Sequence, residues 1–123
     1  MFPIVLDLST LPVMLVGNGP RTVRRLALLD QDRAGSVTVY APMPSEALAS
    51  AARERLVRRW PMASEVALAR LMLIADGIEA SALADLVALA HAAGMLVNVE
   101  DRPELSDFHS PAIVRRGNLL FTV

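Results

Sequence analysis

The chain has 123 residues, of which 54% are hydrophobic and 20% charged, with a net charge of −1. That length and balance suit one folded domain with its own core and exclude a disordered chain. Without a positive excess, broad nucleic-acid binding is excluded as well.

Short apolar runs alternate with amphipathic segments. Val13–Val16 is a four-residue apolar run that ends at Gly17, as expected of a strand buried on both faces. Residues 20–31 read as a helix with Pro20 in its first turn, where the missing N–H costs nothing. Ser36–Tyr40 is rich in β-branched residues and reads as a second strand, ended by Pro42 and Pro44. Ser45 caps a modest helix over 46–55, and Leu56-Val57 is a short third strand. Residues 60–70 give no clear pattern. Leu71–Ala75 is a buried strand, and Ser81 is the expected cap of a helix to Ala93, with Leu83, Leu86, Val87 and Ala90 at helical spacing and Gly94 as its stop. Met95–Val99 is a further strand, followed by a polar loop and a last strand over Leu119–Val123. Strand alternating with helix implies a Rossmann-like, doubly wound α/β fold, its sheet mainly parallel with helices on both faces.

Several chemistries are closed to this chain. Cysteine is absent, which excludes disulfides, thiolate metal sites and a cysteine nucleophile. All 12 basic residues are arginine, so there is no Schiff-base lysine and no phosphate-loop lysine. The opening MFPIVLDLST lacks a basic leader, and the most apolar window, 66–99, is broken by Arg70, Asp76, Glu79, Asp85 and His91. No membrane association is expected, and the cytoplasm is the expected compartment.

Gly17-Asn18-Gly19-Pro20-Arg21-Thr22 lies between the first strand and the first helix, the context a dinucleotide turn requires. Gly17 permits a tight turn, Gly19 lets the backbone approach a pyrophosphate, and the helix start offers unpaired N–H groups. Thr22 stands where a third glycine or alanine is usual, and no acid for a ribose follows the second strand, which ends in Tyr40-Ala41-Pro42. A plain strand–turn–helix corner that needs glycine for geometry alone reads the same residues equally well.

Later motifs add to this. Val37–Pro42 gives a Val-Thr-Val-x-Ala-Pro phrase. Val97-Asn98-Val99-Glu100-Asp101 is followed by Asp107-Phe108, Pro111-Ala112-Ile113-Val114 and Arg116-Gly117. Together with Phe2-Pro3-Ile4, the glycine turn and Arg24-Arg25, these phrases resemble, in order and spacing, the dehydrogenase/chelatase module of siroheme synthases, the precorrin-2 dehydrogenase family. Gly-Asn-Gly stands where that family has Gly-Gly-Gly, Arg25 where it has Lys, and Ile74-Ala75-Asp76-Gly77 where it has Ala-Ala-Thr-Asp.

The resemblance implies one NAD-binding domain over residues 1–123, without the helical dimerisation region into which the family continues. It implies NAD-dependent dehydrogenation of precorrin-2 to sirohydrochlorin, with Fe²⁺ insertion as a further step in some members, and it leaves a homodimer open. Asp101 maps onto the family's key aspartate as general base. Gly17, Asn18, Gly19, Pro20 and Arg21 would line the pyrophosphate, Pro42 and Met43 the adenosine ribose, and Asn98 the nicotinamide edge. Arg102, His109, Arg115 and Arg116 would meet the carboxylates of the tetrapyrrole. No metal ligands are expected: His109 reads as a loop residue, His91 as structural and Asp76 as a loop residue after a strand. A Rossmann remnant that binds NAD(H) or a tetrapyrrole without turnover is the alternative.

Overall fold

The computed structural model describes residues 1–110 in full and the strand pairing of 113–116 and 119–122. Its elements run β1 (Val13–Val16), α1 (Pro20–Gln31), β2 (Val37–Tyr40), α2 (Glu46–Ala52), a 3₁₀ turn at Arg53–Arg55, β3 (Leu56–Val57), α3 (Ala63–Val66), β4 (Leu71–Ile74), α4 (Ala80–Ala92) and β5 (Leu96–Val99). A second 3₁₀ turn at Pro103–Leu105 then leads to β6 (Ile113–Arg116) and β7 (Leu119–Thr122).

The first five strands form one sheet in the order β3-β2-β1-β4-β5, and every neighbouring pair is parallel. β1 and β4 are central and buried at every position, which is why both read as unbroken apolar runs. Strand side chains alternate between faces. Val13 and Leu15 pack with Leu26 and Leu29 of α1 and Leu48 and Ala52 of α2. Met14 and Val16 pack on the opposite face with Val66 of α3 and Leu86, Val87 and Ala90 of α4. The helices thus divide between the two faces, and the expected doubly wound α/β architecture is the one observed. The order of strands reverses between β1 and β4, so a crevice opens there beyond the carboxyl ends of the strands.

β5 lies at the end of this sheet, and residues 106–108 cover its edge with side chains. Val97 N–H donates to Asp107 Oδ2 at 2.9 Å, and Asp107 N–H returns a bond to the Val97 carbonyl at 2.7 Å. Val99 N–H donates to Ser106 Oγ at 2.9 Å. His91 of α4 reaches Asp107 Oδ2 at 2.9 Å, which ties the covering segment to the helix. An edge satisfied in this way offers fewer free groups to another chain.

The structure differs from the sequence expectations at four places. α4 starts at Ala80 after an extended Glu79, so Ser81 lies inside the helix and not at its cap. The Leu83 amide bonds the Glu79 carbonyl, which brings the whole apolar row into one helix. The helix expected to reach residue 55 stops at Ala52, because Arg53 turns to φ 54°. The unpatterned 60–70 stretch holds α3, whose start is fixed by Met62 N–H donating to Glu65 Oε1 at 2.9 Å. Part of the expected polar loop after residue 99 is β6, which pairs antiparallel with β7 as a separate two-stranded sheet. Among the described residues, no helix is long and apolar enough to cross a membrane.

Candidate cofactor and active site

Three loops meet at the crevice: the turn after β1, the segment after β2 and the segment after β4. Asn18 joins them. Its side-chain amide donates to the Gly77 carbonyl at 2.9 Å, and its Oδ1 accepts from Met43 N–H at 3.0 Å. Its own amide bonds the Asp76 carbonyl at 2.9 Å, and its carbonyl accepts from Ser45 N–H at 2.9 Å. Asn18 therefore works as a strut that fixes the loops, with its polar atoms turned to protein.

Gly17 sits at φ 152°, and a Cβ there would stand 2.8 Å from the Asp76 carbonyl oxygen, so only glycine fits. Gly19 ends the turn as the N-cap of α1 with no side chain to cap the helix. Asp76 does that work from across the crevice. Its Oδ2 accepts from Arg21 N–H at 3.1 Å; its Oδ1 accepts from Thr22 N–H at 3.1 Å and from Thr22 Oγ1 at 2.8 Å. Thr22, which stands where a third glycine or alanine is usual, is wholly buried and supplies a donor. Burial pushes the Asp76 carboxyl up, but the bonds from the Arg21 amide and the Thr22 hydroxyl and amide outweigh it and hold it below the ordinary carboxylate range. Asp76 is a loop residue after β4, as expected, and from there it caps the start of α1.

Asp101 follows β5 and is joined by an ion pair to Arg21 in the first turn of α1. The ion pair brings Asp101 to the start of the helix that follows the glycine turn, across 80 positions of sequence. Asp101 adopts a left-handed conformation at φ 61°, which aspartate tolerates better than most residues and which often marks functional positions. The Arg21 guanidinium is pushed further up by its bond to Asp101.

Beside this pair lies a cleft of about 360 Å³, lined among others by Arg25, Asn98, Glu100, Asp101, Arg102 and His109. Asn98 is nearly buried and donates to the Phe108 carbonyl at 2.8 Å. Arg25 pairs with Glu100 at 3.3 Å, and Arg102 with Glu104 at 2.5 Å. Each of these cations therefore already has an internal acid. Pro42 and Met43 follow β2 beside the Asn18 strut, with Met43 exposed. Arg115 and Arg116 belong to β6, and their side chains lie outside the described residues. Among the described residues, no three histidine, aspartate or glutamate side chains gather as a metal cluster.

The donor set at the start of α1 suits the phosphates of a dinucleotide. Two backbone amides and a hydroxyl there already receive an anion, the Asp76 carboxylate, as a stand-in.

Comparison with known proteins gives the family. Residues 4–112 match a family model described as "Putative NAD(P)-binding". The siroheme synthase of Methylococcus capsulatus is 34% identical over 98% of this chain and 26% of its own length. That of Chromobacterium violaceum is 36% identical over 99% of this chain and 26% of its own length. The chain thus spans about a quarter of these relatives. Among solved structures, "SirC, precorrin-2 dehydrogenase" superposes with a TM-score of 0.77 at 23% identity, covering 100% of this chain and 60% of that one, which shows a shared fold. With its family match running through the glycine turn, the crevice and Asp101, the chain belongs to this NAD(P)-binding family.

Proposed function

We propose that the chain performs, or forms the cofactor-binding part of a protein that performs, NAD-dependent dehydrogenation of precorrin-2 to sirohydrochlorin. The observation that carries this is the Arg21–Asp101 ion pair, which joins an exposed carboxylate to the helix after the glycine turn, at the switch point of the sheet. The names of the relatives, siroheme synthase and precorrin-2 dehydrogenase, supply the substrate class.

When bound, the nicotinamide accepts a hydride from a C–H bond of the macrocycle. The chain's own residues do the rest. The α1 amides of Arg21 and Thr22 and the Thr22 hydroxyl hold the phosphates. Asp101, exposed beside Arg21, takes the proton that leaves the substrate as the hydride departs, so both hydrogens of the oxidation have a destination. Arg21 orients that carboxylate. Arg25, Arg102 and His109 line the cleft where the carboxylates of a tetrapyrrole would lie, and those carboxylates would exchange with Glu100 and Glu104 for the arginines. Fe²⁺ insertion, where it follows, would treat the ion as substrate and use the same base for the displaced protons. A homodimer would complete the substrate pocket from a second copy.

A second reading, a module that binds nucleotide or tetrapyrrole without turnover, is favoured by one feature, Ile74-Ala75-Asp76-Gly77 standing where the family resemblance has Ala-Ala-Thr-Asp. Incubation of the protein with precorrin-2 and NAD⁺ separates the two. Turnover gives the near-ultraviolet band of reduced nicotinamide together with the sirohydrochlorin spectrum. Saturable nucleotide binding with neither band supports the binding module.

A further inference from the structure

Asp76 holds the very groups a pyrophosphate would need. Its three bonds, from Arg21 N–H, Thr22 N–H and Thr22 Oγ1, use the donors of the first turn of α1. It also fills the space: a Cβ on Gly19 would stand 2.5 Å from Asp76 Oδ2, so the carboxylate lies against the bare backbone that a phosphate would approach. The bonds that reach the Asp76 side chain from other residues come from the first turn of α1. Gly77 follows at φ 76°, and its carbonyl is held by Asn18, so the backbone beneath Asp76 is fixed and departure of the carboxylate from the helix would be a side-chain rotation.

We propose that Asp76 is a built-in competitor for the phosphate seat, so that nucleotide binds only when its carboxylate swings away from the α1 N-terminus. This rests on the dinucleotide reading given above. Two anions cannot share these donors, because like charges at hydrogen-bond distance repel strongly where solvent is partly excluded. The energy that holds Asp76 on the helix is then subtracted from nucleotide affinity, as for any ligand whose receptive state is a minor one. Asp76 in this way sets the affinity and keeps α1 capped when no nucleotide is present.

The test is calorimetric titration of ADP, as the phosphate-bearing probe, and of adenosine into the parent, Asp76→Asn and Asp76→Ala, with circular dichroism to establish folding. Both variants should bind ADP about tenfold more tightly than the parent or better, as expected when a charge-assisted internal contact is removed. Adenosine affinity should not move. Equal or weaker ADP binding by the folded variants overturns the proposal, and so does an equal gain for adenosine, which would mean general loosening. The parent provides a measurement free of folding artefacts: on saturation with ADP the side-chain carboxyl ¹³C resonance of Asp76 should shift with the Thr22 amide. A bound ADP that leaves Asp76 unmoved overturns the proposal. If neither parent nor variants bind ADP or NAD⁺, the dinucleotide reading itself fails and takes this one with it. Binding by the parent without gain in the variants refutes the role of Asp76 alone.

Discussion

Removal of the Asp76 side chain should destabilise the nucleotide-free protein by an amount that follows from its three partners. Asp76→Ala takes the cap from α1, a loss of about 0.5–2 kcal/mol for an ordinary N-cap. It also leaves the buried Thr22 hydroxyl without its acceptor, at about 1–3 kcal/mol. The bonds share one carboxylate and are not additive, so we expect a loss of about 3 kcal/mol. For a chain of this size that lowers Tm by roughly 10 °C. Asp76→Asn keeps an oxygen acceptor and loses only the charge, so about half of that loss is expected. The assay is urea unfolding at neutral pH, repeated in acid. Because the folded-state carboxyl is held below its ordinary value of 3.8, its contribution is present above that value and is lost as pH falls through the lowered one. The gap between parent and Asp76→Asn should therefore close in acid. An Asp76→Ala protein as stable as the parent at neutral pH, or a gap that widens as pH falls, would refute the capping role.

Gly17→Ala should cost about 3 kcal/mol or more, from backbone strain at φ 152° and the approach of its Cβ to the Asp76 carbonyl oxygen, and a midpoint in urea within error of the parent would contradict this. Glu65 is held down to about 2, first by its bond from Arg59 and also by bonds from Met62 N–H and the Tyr40 hydroxyl. Its stabilisation is present above the ordinary 4.5 and is lost as pH falls towards about 2. Glu65→Gln should therefore cost about 1 kcal/mol at neutral pH, after allowance for the exposure of Arg59, and nothing in strong acid; thermal melts across that range decide it.

Much of the fold was legible because its signals are local. Val13–Val16 and Leu71–Ile74 are buried on both faces and carry no polar residue, and Pro20 marks the start of α1. What remained hidden depends on contacts between distant segments. Asp76 lies 55 positions from the Arg21 amide it caps, and no spacing rule links an acid after one strand to the helix after another. Its one sequence signal was its place directly beyond a buried strand that neighbours the first. The start of α3 depends on Glu65 reaching back to Met62, in a stretch with no apolar period. β6 is hidden in the sequence because Arg115 and Arg116 interrupt its apolar pattern. Asp101 is marked by the phrase Val97–Asp101, whereas its pairing with Arg21 comes only from the parallel order that sets β5 beside β4 and β4 beside β1.

Whether Asp101 is the base is decided by single-turnover oxidation of precorrin-2 with saturating NAD⁺, comparing the parent with Asp101→Asn. Loss of a proton acceptor in contact with substrate should lower the rate about 10²–10⁴-fold while nucleotide affinity stays close to that of the parent. An Asp101→Asn protein that oxidises precorrin-2 at the parent's rate would contradict the assignment of that carboxylate to the chemistry.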